Sequence, residues 1–399
     1  MTRKLQTLME YIAILFLILD CYSLFSITGN NGENIKIIAL VLFIIIFLFE
    51  VIRKRKIKIT TNLLLFLCVY VLYQFFFGII NNTASIIQFI FNQLFIVVLF
   101  LLLFSLDNLN LKFLKRYRDI ICIICAFSLF FFIFGTLLSI VKPSGIINAK
   151  WGPLYEYKNY FYLYNSAQGT WFFGNALARN IGIFAEGPMF SYCVCFGLWY
   201  EIFYGNYSKL RIVIMVSAIF TSFSVTGIIF IGIMIFVKYF ELGQGNKNML
   251  SSKRLFILSI LLVSFVLGFF LLFDKLDSVS GVSRSTQYSR AWSIWKENPF
   301  FGLGYRQSVE GFSSGILLSM VECGLIGTAL YFVPIVLGTI KAIKQHDFPY
   351  IALCLGFTVC LLFTVVPYKI VTLSIDSFII FYIVNNKKLT PRINMRRKI

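Results

Sequence analysis

The sequence predicts an all-α polytopic membrane protein with about twelve spans, on the evidence of its hydropathy, its low charge and the lengths of its apolar segments. Of the 399 residues, 59% are hydrophobic and 13% are charged, too few to cover a globular surface of this size. The mean hydropathy is +0.84. Because a spanning helix needs about 20 mostly apolar residues, little chain is left over for a soluble domain. We therefore predict a single integral membrane domain over residues 1–399.

The apolar segments follow one another with short polar gaps. They lie near residues 8–28, 35–52, 61–80, 86–104, 119–141, 181–204, 212–240, 255–273, 313–340, 349–367 and 369–384. The segment 212–240 is long for one span, and a polar cluster from Thr221 to Gly227 interrupts it. That cluster is suited to a turn, so this segment crosses the membrane once or twice.

Positive charges decide between these two topologies. If 212–240 crosses twice, 25 of the 36 Lys and Arg residues lie in the cytoplasm and 11 lie outside, as the positive-inside rule favours. A single crossing would place the basic stretch from Lys387 to Lys398 outside. We therefore predict two crossings, cytoplasmic termini and two long outer loops, at 142–180 and 274–312. The short inner loops leave no room for a nucleotide-binding domain.

The charged and metal-binding residues exclude several functional classes. The net charge of +19 comes from short basic runs such as Arg53 to Lys56, which indicate topology and contact with membrane lipids, so we expect no nucleic-acid partner. The nine cysteines lie in apolar runs and are interpreted as buried thiols. The predicted outer side has no paired metal-ligand cluster, so we expect metal-independent chemistry without a cofactor.

The first candidate site is the stretch from Arg179 to Pro188, at the predicted outer edge of the apolar zone. Gly187 and Pro188 precede a long apolar run, which predicts a helix starting near Pro188. An unpaired charge at this depth costs several kcal/mol. Two interpretations stay open for Arg179 and Glu186: a mutual salt bridge that anchors the loop, or a general base beside a phosphate-binding arginine.

The second candidate site runs from Arg284 to Arg306 and contains a Pro-x-x-Gly-x-Gly turn. Arginine presents a planar fork of donors that suits a phosphate group. Gly302 and Gly304 would let backbone N–H groups approach an anion closely.

The same stretch also has a structural interpretation. It would form an interfacial helix, with Trp292 and Trp295 at the level of the lipid headgroups. We prefer that interpretation for Lys296, and a functional role for Arg290, which precedes the turn.

Other polar and aromatic residues are weaker candidates. Asp20 and Asp376 lie within predicted spans, where we expect each to make a single bundle-stabilising hydrogen bond. His346 is expected on the surface of a short cytoplasmic loop. Aromatic side chains crowd the first outer loop, and most of them suit an interfacial belt better than sugar stacking: Trp151, Tyr155, Tyr157, Tyr160, Phe161, Tyr162, Tyr164, Trp171, Phe172 and Phe173.

Two motifs in the C-terminal half carry a family resemblance. The residues Ser289-Arg290-Ala-Trp292 to Asn298-Pro299-Phe-Phe-Gly302-Leu-Gly304, followed by Glu322-Cys-Gly324-Leu-Ile-Gly327, resemble the oligosaccharide repeat-unit polymerases (Wzy type) and the related O-antigen ligases. The Arg179 to Pro188 stretch and the Thr221 to Gly227 cluster also fit. The motif pattern covers about the C-terminal 220 residues, and the topology covers the whole chain.

One departure from the family pattern favours the polymerases. The ligases carry a His, commonly followed by Asn, ahead of the Glu-x-Gly helix, where this chain has Ser313-Ser314. The resemblance then implies a GT-C-like architecture in the bacterial cytoplasmic membrane. It also implies joining of polyprenyl-diphosphate-linked oligosaccharides into capsule, O-antigen or exopolysaccharide, with a flippase and a chain-length regulator as further partners.

The resemblance also implies roles for individual residues. Glu186 would accept the proton of the attacking hydroxyl, and Arg179 and Arg290 would hold the departing diphosphate. The further substrate-binding residues would be Arg284, Arg306, Trp292, Gly302, Gly304 and Tyr305. The rival classes are a lipid-linked oligosaccharide flippase, a ligase-like glycan transferase and an ion-coupled symporter, which needs acids within broken helices.

Overall fold

The computed structural model of the chain describes residues 3–28, 31–54, 60–80, 89–106, 109–149, 155–167, 169–172, 175–243, 279–305, 307, 312, 314–364 and 369–384. The predicted segment 255–273 and the basic stretch from Lys387 lie outside these residues. The described chain is mostly helical, which confirms the helical class.

Thirteen α-helices form the described part of the fold. They are α1 (Arg3–Asp20), α2 (Leu24–Ile27), α3 (Asn31–Lys54), α4 (Thr61–Ile80), α5 (Ile96–Ser105), α6 (Leu109–Phe131), α7 (Gly187–Phe203), α8 (Lys209–Thr221), α9 (Val225–Gly243), α10 (Val279–Glu297), α11 (Gly315–Lys344), α12 (Phe348–Phe363) and α13 (Ile370–Val384). Two π-helical turns, Ile90–Phe95 before α5 and Phe132–Leu137 after α6, add to them. Single π-turns of this kind are frequent at functional sites.

Several helices have the length and apolar character of membrane spans. Three helices in the described residues are long and apolar enough to cross a membrane: Asn31–Arg53, Thr61–Ile79 and Lys112–Leu137. The bent pair Gly315–Ala329 and Tyr331–Lys344 would add a fourth if it is one span. The expected number of about twelve spans therefore stays a prediction.

The chain reverses direction inside the long segment 212–240. Thr221, at the end of α8, lies beside Asn180, just before α7. The Asn180 Nδ2 donates to Thr221 Oγ1 at 3.1 Å. At the start of α9, the carbonyl of Gly227 lies beside Cys195 of α7. Further along α9, Lys238 lies over the ring of Phe203 at the end of α7. Helix α9 therefore runs parallel to α7, while α8 runs antiparallel to it, as a turn in this segment requires.

The loop between α6 and α7 forms β-strands at one end of the bundle, which we call the strand end. Residues 145–178, between α6 and α7, hold five β-strands: β1 (Gly145–Ala149), β2 (Tyr155–Tyr160), β3 (Tyr164–Ser166), β4 (Gly169–Phe172) and β5 (Asn175–Ala178). The first three form an antiparallel sheet in the order β1-β2-β3, and the last two form a hairpin. The all-α expectation therefore fails for this loop, because it pairs its backbone groups as strands.

At the opposite end of the bundle, which we call the ionic end, charged residues of α1, α6, α7 and α8 form ion pairs. These residues are Glu10, Arg116, Arg118, Asp119, Glu201 and Arg211. Arg118 is 3% exposed and pairs with Glu201, which is fully buried. Glu201 also accepts a hydrogen bond from the backbone N–H of Ser208 at 2.8 Å. The pair therefore fixes the turn between α7 and α8.

We expect Glu201→Ala to destabilise the protein by about 1–3 kcal/mol, because Arg118 keeps Asp119 as a partner but loses its fully buried one, and the Ser208 N–H loses its acceptor. The measurement is thermal unfolding of the detergent-purified chain. Glu241→Ala is the matched control, since it removes a partly exposed ion pair with Lys238 that is worth about 1 kcal/mol or less. Equal stability losses for the two variants would contradict the structural role of Glu201.

Candidate functional site

The first candidate region lies at the strand end, where Arg179 contacts the start of α7. The Arg179 Nε donates to the carbonyl oxygen of Ser222 at 3.0 Å. A Cβ atom placed on Gly187 would lie 2.7 Å from an Arg179 guanidinium nitrogen and 2.7 Å from the Ser222 carbonyl oxygen. Only glycine at this position leaves room for the guanidinium. The predicted helix start is confirmed, since α7 begins at Gly187 with proline in its first turn.

Asn180 links the same region to two other helices. Its Oδ1 accepts from the Ser128 Oγ of α6 at 2.6 Å, and its Nδ2 donates to Thr221 Oγ1 of α8. Its backbone N–H donates to the Thr221 carbonyl at 2.9 Å. Sequence reasoning missed Asn180, although a polar residue beside Arg179 and before an apolar run is a usable signal. Because these buried hydrogen bonds fix Asn180, they also fix the backbone position of the neighbouring Arg179.

Glu186 is the N-cap residue of α7, and it is half-buried. Its backbone is extended, with φ −145° and ψ 154°, and its side chain makes no capping hydrogen bond to the described first turn. A carboxylate at a helix N-terminus is favoured by the helix dipole. Glu186 and the Arg179 guanidinium therefore both lie at the start of α7, next to Gly187.

We expect Gly187→Ala to displace the Arg179 guanidinium, because the new methyl group occupies its position. A displacement of about 1 Å at a catalytic group lowers a rate by on the order of a hundredfold. For the polymerase that the family resemblance predicts, the measurement is the length and amount of polymer formed in membranes. Gly145→Ala in β1 is the control, since a Cβ there meets nothing within 4 Å. Full polymerisation by the Gly187 variant would contradict the predicted role of Arg179.

The second candidate region is formed by the Pro299–Gly304 loop, which docks into a break in α11. Gly324 has φ 63° and ψ −164°, which interrupts the helix. The N–H groups of Leu303 and Gly304 donate to the carbonyls of Val321 and Glu322, at 2.8 and 3.0 Å. The loop thus binds the backbone on one side of the break.

The other side of the break is bound in the same way. The N–H groups of Leu325 and Ile326 donate to the carbonyls of Pro299 and Phe300, at 2.8 and 3.2 Å. In a continuous helix these N–H groups would bond to the carbonyls four residues earlier. The loop therefore supplies both the donors and the acceptors that the break has lost, which a buried backbone needs.

This geometry corrects the expectation for Gly302 and Gly304. Their N–H groups donate to the carbonyls of Asn298 and Glu322 and so are already used within the protein. The glycines are needed for another reason: both have positive φ, 71° and 117°. A Cβ on Gly302 would also lie 2.6 Å from the Gly324 nitrogen. In this structure neither N–H group is therefore available to an anion.

Helix α10 carries Arg284 and Arg290 and packs against α11. Ala291 is buried in a cluster with Phe312, Leu317 and Val321. Arg290, next to it, is exposed. Because successive residues of a helix point about 100° apart, Arg290 projects from the edge of the packed face. The side chain of Arg284 and all of Arg306 lie outside the described residues, so their roles stay predictions.

The exposed face of α10 has the character of an interfacial helix. Trp292 is 50% exposed, and its ring lies 4.9 Å from that of Trp295. The Lys296 Nζ lies 5.7 Å from the centre of the Trp292 ring. These contacts agree with the preferred structural interpretation of Lys296.

Tyr305 faces the interior. It is 1% exposed, and its ring lies edge-on to Phe89 at 5.5 Å. It lines a cavity of about 170 Å³ between α4, α11 and α13. Tyr305 is therefore placed away from the exposed face of α10, and its predicted contact with a substrate is not shown.

The aromatic residues of the strand end divide into two groups. Tyr157, Tyr160 and Tyr164 are buried and form part of the local core, and burial raises the pKa of Tyr164 to about 12. Phe161 and Tyr162 are exposed at the tip of the β2–β3 hairpin, both with positive φ. The belt interpretation therefore suits the tip and not the buried tyrosines.

The remaining polar candidates, Asp20, Asp376 and His346, differ in their hydrogen bonding and exposure. Asp20 Oδ2 accepts from the Ile370 N–H at 2.9 Å, which confirms its bundle-stabilising role. Asp376 does not fit the same expectation, because its Oδ1 has no hydrogen-bond partner among the described residues. His346 is exposed, as expected. No cluster of three or more metal-ligand residues occurs in the described part of the chain.

The fold and these regions define a mostly helical protein with several helices apolar enough to cross a membrane. Comparison with protein-family models finds no match, and comparisons with curated proteins and with solved structures find no significant similarity.

Proposed function

We propose that the chain is a glycosyltransferase that joins polyprenyl-diphosphate-linked oligosaccharide repeat units on the outer face of the bacterial cytoplasmic membrane. The donor is a growing glycan on its lipid diphosphate, and the acceptor is a lipid-linked repeat unit. The strand end faces outwards in this proposal, and the ionic end, with both termini, faces the cytoplasm.

The observation that carries the proposal is the docking of the Pro299–Gly304 loop into the break of α11. The resemblance to the polymerases rests on two motifs, Pro-x-x-Gly-x-Gly and Glu-x-Gly, that lie about 20 residues apart. In the fold, these motifs form one unit joined by four backbone hydrogen bonds. A structural reason for both motifs supports the resemblance, and with it the proposed activity.

The reaction requires two things from the protein. An acceptor hydroxyl attacks the anomeric carbon, a new glycosidic C–O bond forms, and the bond to the lipid diphosphate breaks. Arg179 and Arg290 stabilise the negative charge that develops on the diphosphate, and Glu186 accepts the hydroxyl proton. Each aligned donor contributes roughly 3 kcal/mol to transition-state stabilisation. Cleavage of the bond between the glycan and the lipid diphosphate supplies the free energy, so the reaction needs no nucleotide sugar.

The lipid-linked glycan of a deletion strain tests this class of function. The proposal predicts single repeat units on the polyprenyl carrier, facing outwards. A flippase would leave the same units facing inwards, and a ligase would leave finished polymer on the carrier. Either of these two results would replace the polymerase assignment.

We expect Glu186→Gln to lower polymerisation by about 10²–10⁴-fold, the range over which a positioned general base acts. The amide has the same size but cannot accept the proton. Polymer formation is measured in two separate membrane preparations, one with the variant and one with an equal amount of the unaltered protein. Full activity would assign the proton to an oxygen of the leaving phosphate.

A second candidate function, cation-coupled transport, is favoured by one observation. Asp376 is buried beside a cavity that also contacts the broken helix α11, and acids next to broken helices are typical of secondary transporters. Uptake that depends on a sodium or proton gradient, in vesicles of the purified protein, would support this alternative.

A further inference from the structure

The cavity between α4, α11 and α13 combines a buried acid with aromatic walls. Asp376 is 6% exposed, and its Oδ1 has no hydrogen-bond partner within the described chain. Burying a carboxylate oxygen without a partner is costly, because the interior replaces neither its hydration nor its hydrogen bonds. The unsatisfied Oδ1 therefore leaves one hydrogen-bonding position of Asp376 open to a group that enters the cavity.

The size of the cavity limits what that group is. Its volume is about 170 Å³, and an apolar protein cavity of about 150 Å³ holds a benzene molecule. A single metal ion would leave most of this space empty. The cavity instead fits an organic group about the size of one ring.

The walls indicate the charge of the group. Six aromatic side chains line the cavity: Phe66, Tyr70, Phe77, Phe89, Tyr305 and Tyr331. Aromatic rings attract cations through their negative faces, and this attraction strengthens in desolvated sites. No Lys or Arg side chain is among the described residues that line the cavity. A carboxylate among aromatic rings favours a cationic ligand over an anionic one.

We propose that this cavity is a binding site for a small organic cation. Its ammonium group pairs with Asp376, and its apolar part packs between the aromatic side chains that line the cavity. The site is separate from the proposed transfer reaction, which needs an anionic diphosphate. Its position against the broken part of α11 links ligand binding to the helix that docks the Pro299–Gly304 loop.

The test uses benzylammonium as the cationic probe and benzyl alcohol as its neutral counterpart of the same shape. Binding of both to the purified full-length chain is measured by calorimetry and by the shift of the thermal unfolding midpoint. We expect the chain to bind benzylammonium at least about tenfold more tightly than benzyl alcohol, a difference of 1.4 kcal/mol. Asp376→Asn removes this preference.

Asp20→Asn is the control, because Asp20 is another aspartate within a predicted span and already accepts from the Ile370 N–H. This variant keeps the preference for benzylammonium. Equal binding of the two probes, no binding of benzylammonium, or an unchanged preference in Asp376→Asn would each overturn the proposal. The Asp376 variant should polymerise glycan normally, so the two proposals fail independently.

Discussion

Arg290→Lys is expected to lower polymerisation by at least about a hundredfold, while the protein accumulates in membranes at its normal level. Lysine keeps the positive charge but loses the planar fork that binds two phosphate oxygens at once. Loss of one aligned donor group in a transition state typically costs 10²–10³ in rate. Arg290 is exposed beside the packed Ala291, so the exchange leaves the α10–α11 contact intact.

The control for this prediction is Lys296→Arg on the same helix. Lys296 lies over the Trp292 ring, and an arginine keeps that cation–aromatic contact. We expect normal chain length from this variant. Near-normal polymer from Arg290→Lys would exclude Arg290 from diphosphate binding.

Gly324→Ala is expected to prevent the Pro299–Gly304 loop from docking and to remove most of the folded protein from the membrane. The left-handed backbone of Gly324 costs about 1–3 kcal/mol for any other residue. The new Cβ would also lie 2.5 Å from the Gly302 nitrogen and from the Phe300 carbonyl, and such overpacking costs about 1–3 kcal/mol more. The sum is a large part of a typical stability of about 5–15 kcal/mol.

Gly232→Ala provides the matched control for Gly324→Ala. Gly232 lies within α9, and a Cβ there meets nothing within 4 Å. Alanine is the better helix former, so we expect this variant to be neutral or slightly more stable. Membrane abundance and thermal unfolding are measured for both. Normal abundance and melting of Gly324→Ala would show that the break in α11 is not required.

Much of the fold follows from local patterns. Proline after Gly187 predicted the start of α7, and the polar cluster after Thr221 predicted the turn between α8 and α9. Both signals depend on residues adjacent in sequence, so they can be recognised without knowledge of the tertiary structure.

Features that depend on distant pairing were not predictable. Between α6 and α7, a three-stranded sheet forms through pairs such as Ile147 with Tyr157 and Asn159 with Asn165, and two further strands form a hairpin. The use of Gly302 and Gly304 is the same kind of case. Glycine spacing predicted a close backbone approach, but not that the partner is the broken helix α11.

The most direct test of the proposed function is polymerisation by the purified chain in liposomes, supplied with lipid-linked repeat units extracted from a deletion strain. The reaction contains a metal chelator and no nucleotide sugar. We predict a ladder of lipid-linked glycans longer than one repeat unit, and no ladder with Arg290→Lys. Repeat units that remain single with the unaltered protein, while it stays folded, would contradict the assignment.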